Sequence, residues 1–370
     1  MHRARIAVST VFFVNGAVLA SWVPHIPAVQ ARHGAGDARL GLVLLVMAAG
    51  AVVALLAAGR LVDRFGSRVM TSVAALAFCV VMPLPVLSPN LPGVALALAV
   101  LGACNGLLDV SMNAQAAAVE HRMGRAVMSS FHGLFSVGGV VGAVLAGGAM
   151  LAGANDAQHV VVAAVVALVV TAATLPWLLE SPVVEGRASP GFAWPPRALL
   201  ALGSLAFLGL LAEGAMADWS AVYLRKSTGS SASVAAVGFA AFSLAMAAGR
   251  FAGDGLVDRF GAHRLVRASG AVAAVGLAGA LVVGGSLSGV VGFGLVGLGI
   301  ANIVPVLFGA AARTPGIAAG RALSAVATTG YLGFLAGPPL IGAVAEVAGL
   351  PVGLALVSAA CALIAARGAP

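Results

Sequence analysis

Leu61-Val62-Asp63-Arg64-Phe65-Gly66 recurs as Leu256-Val257-Asp258-Arg259-Phe260-Gly261, 195 residues further along a chain of 370. Six identical residues at equivalent places in two halves point to an internal duplication. Fainter echoes keep nearly the same offset: Trp22 with Trp219, and Gly124-Arg125-Ala126 with Gly320-Arg321-Ala322. Each hexapeptide follows a long apolar run and ends on glycine, so it reads as a short charged reversal between two buried helices.

Composition identifies the solvent of those helices. Hydrophobic residues make up 61% of the chain and charged ones 9%, with a mean hydropathy of +1.07. A soluble domain is about 45–50% apolar and about 25% charged. Twenty basic and 12 acidic residues cannot cover a water-facing surface on a chain this long, so lipid surrounds most of it. Soluble enzymes, coiled coils and secreted disulfide scaffolds are thereby excluded. The net charge of +8 does not indicate nucleic acid here, because the arginines cluster in alternate loops. Cys79, Cys104 and Cys361 lie scattered in apolar stretches without C-x-x-C spacing and read as small buried hydrophobes.

Breaks at charges, Gly/Pro clusters and Asn leave twelve apolar runs: 6–27, 40–62, 69–88, 92–119, 127–153, 158–179, 197–224, 233–255, 265–285, 287–311, 322–347 and 350–367. Each is long enough to cross a bilayer, which takes about 20 residues. The first resembles a signal peptide, but eleven further spans make it an uncleaved helix. The expected fold class is an all-α integral membrane protein, with twelve transmembrane helices in two six-helix pseudo-symmetric bundles. The bundles are 1–179 and 197–370, and the polar, proline-bearing stretch 180–196 is the cytoplasmic linker between them. In the twelve-span frame, 16 basic residues fall on one side and only Arg32, Arg39, Arg225 and Lys226 on the other. That bias places both termini and the linker in the cytoplasm. Six spans per half is even, so the halves run parallel, the repeat plan of a secondary transporter.

The stretch Gly59-Arg60-Leu61-Val62-Asp63-Arg64-Phe65-Gly66-Ser67-Arg68 resembles the signature loop of the major facilitator superfamily. Its second copy is degenerate, with Asp254 where the first has Gly59 and Ala262-His263-Arg264 after the glycine. More narrowly, Asn105-Gly106-Leu107-Leu108-Asp109-Val110-Ser111-Met112-Asn113-Ala114-Gln115 and Glu213-Gly214-Ala215-Met216-Ala217-Asp218-Trp219-Ser220 resemble a bacterial branch related to the fucose-permease group. The resemblance implies a transporter of the bacterial cytoplasmic membrane that works as a monomer. In the loops, Asp63, Arg64 and Gly66, with Asp258, Arg259 and Gly261, are expected to act as a gating latch. Each carboxylate can meet arginines or a helix N-terminus, and each glycine permits the reversal. A topology anchor of positive charge serves as the plainer reading.

Charged or strongly polar groups inside a bilayer are costly and mark function. Asp109 on the fourth span has Asn105 and Asn113 one turn away on either side, giving one polar stripe. Glu213 lies near the middle of the seventh span, and Asp218 lies closer to its end on a different face. The segmentation places no basic residue at their depth. A carboxyl that alternates between wet and dry surroundings is what proton coupling requires, so Glu213 and Asp109 are the candidate proton carriers. A protonated carboxyl bonding a neighbouring helix is the alternative. Asn15, Trp22, Asn105, Asn113, His132, Asp218, Trp219, Asn302 and Tyr331 are the candidate substrate-binding residues, with Thr328 and Thr329 beside them. The tryptophans suit sugar rings or flat ligands, although such residues also anchor helix ends at the interface. His132, with Ser129 and Ser136, makes a further polar stripe.

Gly292-Phe293-Gly294-Leu295-Val296-Gly297 matches a dinucleotide-binding fingerprint, but it lies inside an apolar helix rather than between strand and helix. Close helix contact explains it better, as it does Gly138/Gly142, Gly249/Gly253 and Gly333/Gly337. Gly337-Pro338-Pro339 is expected to bend the eleventh span. With no catalytic motif, metal-ligand cluster or P-loop, neither an enzyme nor a primary pump is expected, and no cofactor. The expected partners are a small-molecule substrate, protons and lipid. The function expected is proton-coupled symport of a small polar solute such as a sugar. Proton-coupled efflux of drugs or metabolites, or a transporter-like sensor, remains as the alternative.

Overall fold

The computed structural model describes residues 1–123, 127–180, 199–312, 314–315, 317 and 319–368, and there is no strand among them. Twelve helices are long and apolar enough to cross a membrane: α1 (His2–Arg32), α2 (Asp37–Val62), α3 (Ser67–Leu87), α4 (Leu91–Glu120), α5 (Ser130–Leu151), α6 (Asp156–Trp177), α7 (Leu200–Lys226), α8 (Ala232–Gly253), α9 (Ala262–Val283), α10 (Ser286–Ala311), α11 (Ala325–Ala348) and α12 (Leu350–Arg367). Each coincides with one of the twelve apolar runs. Helices dominate because hydrocarbon offers backbone N–H and C=O groups no partner, so each segment must bond to itself. Along α6, Val162, Val165, Val166 and Val169 are exposed while Val160, Ala164 and Ala167 are buried. Apolar residues on both faces are what a lipid-facing helix requires.

Helix pairing follows the glycines. In the first half, a Cβ at Gly16 of α1 would strike the Phe135 carbonyl of α5, and one at Gly138 or Gly142 would strike the Phe13 or Ala17 carbonyl. Between α2 and α4, Gly50 packs on the carbonyl of Ala99, and Gly102 and Gly106 on those of Met47 and Ala51. Helices α3 and α6 make the third pair. The second half repeats this scheme. Gly333 of α11 lies on the Phe207 carbonyl of α7, Gly297 of α10 on the Phe242 carbonyl of α8, and Gly270 of α9 on the Cys361 carbonyl of α12. First with fifth, second with fourth, third with sixth: the duplication seen in the hexapeptides is also a duplication of contacts. Gly292 and Gly297 of the dinucleotide-like motif sit within this packing, facing Gly276 and Phe242.

The chain forms two compact units, Met1–His25 with Val46–Ser189 and Ile26–Leu45 with Pro190–Pro370. The segment Ile26–Leu45 thus groups with the second half of the sequence, and all but the first residue of the linker 180–196 lies outside the described residues. Within the second unit, Asp37 accepts hydrogen bonds from Gln30 and from Lys226, both at 2.6 Å. The backbone N–H of Ala38 donates to the Glu346 carboxylate at 3.1 Å.

Two helix breaks have chemical causes. In α1 a 3-10 turn, Val23–His25, separates two α-helical parts, because Pro24 and Pro27 have no N–H to continue the ladder. In α10 the helix pauses between Ile300 and Ile303, where Pro305 cannot donate to the carbonyl four residues back. At this break the Asn302 amide donates to the Gly249 carbonyl of α8 at 2.8 Å, tying the two helices together. The helical backbone of α11 continues through Pro338 and Pro339.

The close α1–α5 contact predicts that Gly138→Val lowers the unfolding midpoint of the detergent-solubilised protein, at about the 1–3 kcal/mol that overpacking costs. Gly148→Val, on the same helix where a Cβ meets nothing within 4 Å, leaves the midpoint unchanged.

Candidate functional site

In the first unit the polar residues of α1 and α4 make two separate contacts. Asn113 donates through Nδ2 to the carboxylate of Asp109 at 3.2 Å and to its backbone carbonyl at 2.8 Å. The stripe expected from spacing therefore exists as a bonded pair. One turn earlier, the Asn105 Oδ1 is buried without a partner among the described residues. Asn15, 3% exposed, donates to the Met112 sulfur at 3.7 Å, and its own Oδ1 has no partner among them either. Phe12 stacks on Phe131 and meets the edge of His132 at a centroid distance of 5.2 Å. His132 itself is exposed, and its backbone carbonyl accepts from the Ser136 hydroxyl at 3.4 Å. Trp22 is buried at the end of the first part of α1.

In the second unit Glu213 is paired. The Arg250 guanidinium donates to Glu213 Oε1 at 3.3 Å, which corrects the expectation that no basic group reaches this depth. Arg250 stands near the end of α8, but its long stem carries the guanidinium back towards the middle of α7. Both side chains are about one-quarter exposed, 25% and 24%.

The other candidates of this unit divide into two kinds. Trp219 is fully buried with its indole N–H unpartnered among the described residues, and the neighbouring Ser220 hydroxyl is likewise without a partner. Asp218 is half-buried. Asn302 and Thr329, by contrast, already donate within the protein, Asn302 to Gly249 and Thr329 to the Ala325 carbonyl at 2.9 Å. Tyr331 packs beside Phe334 at a ring separation of 6.1 Å, and the Phe334 ring covers Gly214 next to Glu213.

A family model described as Major Facilitator Superfamily matches residues 8–338. The chain belongs to the major facilitator superfamily. It is 38% identical over 347 residues to an uncharacterized MFS-type transporter of Yersinia pestis, covering 94% of this chain and 90% of that one. It is 36% identical over 360 residues to membrane protein MosC of Rhizobium meliloti, covering 97% and 88%. Among solved structures, a mutant of the nucleoside transporter NupG matches with a TM-score of 0.77 at 12% identity, covering 98% of both chains. A bacterial homologue of the human lysosomal transporter Spinster, inward-facing and unoccupied, matches with a TM-score of 0.74 at 14% identity, covering 98% of this chain and 95% of that one. At those identities the structural likeness shows the fold. The chain is therefore a twelve-helix membrane transporter of the superfamily type.

The two loops that carry the superfamily resemblance share one backbone. Gly66 has φ 82° and ψ 147°, and Gly261 has φ 78° and ψ 151°, a region that only glycine enters readily. Each glycine N–H bonds the carbonyl four residues back at 2.8 Å, Val62 in one loop and Val257 in the other. Arg64 lies over the Phe65 ring and Arg259 over the Phe260 ring, at 5.2 and 5.3 Å. Asp258 is exposed, and the side chain of Asp63 lies outside the described residues.

Sequence reading missed Arg250, Met112 and Phe12, each an ordinary-looking residue whose side chain reaches a polar group on another helix. Two measurements test this geometry. Gly66→Ala or Gly261→Ala forces a side chain into the glycine-only region and lowers stability by about 1–3 kcal/mol, read as a shift in the denaturation midpoint. A double-mutant cycle of Glu213→Gln and Arg250→Gln gives a coupling energy of about 1 kcal/mol, within the range for contacting residues. Strict additivity would show that the pair does not form.

Proposed function

We propose that this superfamily member is a secondary active transporter that works by alternating access and couples import of a small polar solute, such as a sugar, to protons. The observation that carries the reading is that Asn15 Oδ1, Asn105 Oδ1 and the Trp219 indole are buried without a hydrogen-bond partner among the described residues. Buried polar atoms are otherwise nearly always satisfied, and a hydroxyl-bearing solute supplies donors and acceptors of the required kind. Asp109 and Glu213 are the proton carriers, with Arg250 as the group that Glu213 releases on protonation. Asn113, His132 and Asp218 complete the polar set. The 16-to-4 distribution of basic residues supports cytoplasmic termini in the bacterial inner membrane. One chain holds both halves of the repeat, so it works as a monomer, with lipid and solute as its partners and no chemistry performed on the solute. In the loops, Asp63, Arg64 and Gly66 with Asp258, Arg259 and Gly261 act as the latch.

An efflux antiporter would use the same carboxyls, but a guanidinium beside Glu213 disfavours a lipophilic cation there. Thermal unfolding of the purified protein against sugars, nucleosides, amino acids and lipophilic cations identifies the ligand class. A ligand at 100 times its Kd adds about 2.7 kcal/mol. In proteoliposomes, the ligand so found accumulates when the interior is alkaline. Asp109→Asn and Glu213→Gln remove accumulation while leaving counterflow. Accumulation with unchanged pH dependence in both variants overturns proton coupling, and binding without counterflow marks a sensor. Stabilisation by lipophilic cations alone selects efflux.

A further inference from the structure

Remote from Asp109 and Glu213 in sequence and in residue chemistry, the first unit contains a second buried titratable group. His25, the last residue of the 3-10 turn in α1, is completely buried. Its Nδ1 lies 2.8 Å from Asp156 Oδ1, and its Nε2 lies 2.8 Å from Nδ1 of His159. The two imidazole rings are 5.0 Å apart between centroids. Asp156 opens α6, where a capping box between Asn155 and Gln158 fixes the first turn. His159 follows one turn later on the same face. The three groups therefore form a continuous line, carboxylate to imidazole to imidazole.

Two facing ring nitrogens at 2.8 Å can hold only one proton between them. With both rings neutral, His25 donates from Nδ1 to Asp156, and His159 donates from Nδ1 to the bare Nε2 of His25, leaving His159 Nε2 bare. A proton added at His159 Nε2 lets the Nδ1 proton pass to His25 Nε2. His25 then carries both protons and one positive charge beside the Asp156 carboxylate, while His159 is again neutral and now accepts. No contact is lost; only donor and acceptor exchange. A second added proton makes both rings cationic and sets two N–H groups head to head, so the contact must open.

The surroundings favour the first step and oppose the second. Helix α5 also packs against the turn at His25, and its stretch from Gly133 to Leu151 contains no titratable residue. Beyond His159, α6 has none through Trp177, and the next charge along α1 is Arg32. His159 borders an apolar cavity of about 400 Å³ lined by Phe13, Ala17, Val18, Val141 and Leu145. A charge left on His159 faces hydrocarbon, whereas one on His25 faces a carboxylate. We propose that Asp156, His25 and His159 form a proton-binding site separate from the transport carboxyls, which stores one proton with its contacts intact and parts on a second. His25 is also the residue at which the chain passes from the first compact unit to the second, so this site fastens α1 to α6 where the chain changes unit.

The test needs no transported solute and is independent of symport. The full chain, labelled with 15N-histidine and held in detergent micelles, is titrated over the pH range in which histidine changes charge, about 5 to 8. The expected result is that two of the seven histidines take up one proton as a unit. A scalar coupling across their N–H···N contact persists through that step and disappears at lower pH. His159→Gln removes the shared signal, and Asp156→Asn changes the pH of the step while Gln158→Ala does not. Should a variant fail to fold, the coupling in the wild-type protein still decides. Independent titration of His25 and His159, or no titration of either across the range, overturns the proposal.

Discussion

The contact between a glycine of one helix and a backbone carbonyl of the next is the constraint on which this fold depends. Lipid is as apolar as leucine, so burying apolar side chains gives little drive for helices to associate, and close packing must supply it. Gly16, Gly138 and Gly142, then Gly50, Gly102 and Gly106, and in the second half Gly297 and Gly333, bring backbones together at the points where a Cβ would collide. These contacts fix which helices are neighbours. Neighbourhood then decides which side chains share a layer, and so places Asn15 of α1 beside Met112 of α4 and Arg250 of α8 beside Glu213 of α7.

Within such a frame polar atoms fall into two groups with different meanings. Asn302, at the break in α10, donates to the Gly249 carbonyl and so ties α10 to α8. Gln115 donates to Ser67 and to the Leu179 carbonyl, and accepts from the Leu179 N–H. These amides are consumed by structure. Asn15 Oδ1, Asn105 Oδ1 and the Trp219 indole are buried without a partner among the described residues, each costing about 1–3 kcal/mol of unrecovered desolvation. That cost is tolerable where a ligand restores the bonds during the working cycle. The distinction could not be read from residue type, since asparagine appears in both groups.

The twelve spans, their order and the repeat were legible because each depends on local signals: a long apolar run, a charged reversal, a glycine at a left-handed position. The Asp109–Asn113 pair was legible too, since residues four apart on a helix must meet. Arg250 was not, because its position along α8 describes its Cα and not the guanidinium several bonds away. His25 and His159 were invisible for another reason. Their partners lie 131 and 134 residues apart, and Asp156 at the start of a helix looks like an ordinary favourable charge at an N-terminus.

What the duplication repeats, and what it does not, separates scaffold from chemistry. Gly66 and Gly261 share a backbone conformation, Arg64 and Arg259 lie over equivalent phenylalanines, and Trp22 and Trp219 are both buried. The loop acids Asp63 and Asp258 are duplicated, but the intramembrane acids Asp109 and Glu213 are not. At the spacing that relates the two tryptophans, Glu213 of α7 corresponds to Gly16 of α1, the glycine that packs on the Phe135 carbonyl. Asp109 of α4 likewise has only apolar residues at the offsets of 195 to 197 that relate the two halves, Val304, Pro305 and Val306 of α10. A group needed for helix pairing is needed in both halves, because both halves pair their helices in the same way. A carboxyl present in one half alone is not required by that pairing, so its intramembrane cost has to be offset by something other than the fold. This supports the proposed place of Asp109 and Glu213 among the working parts of the transporter.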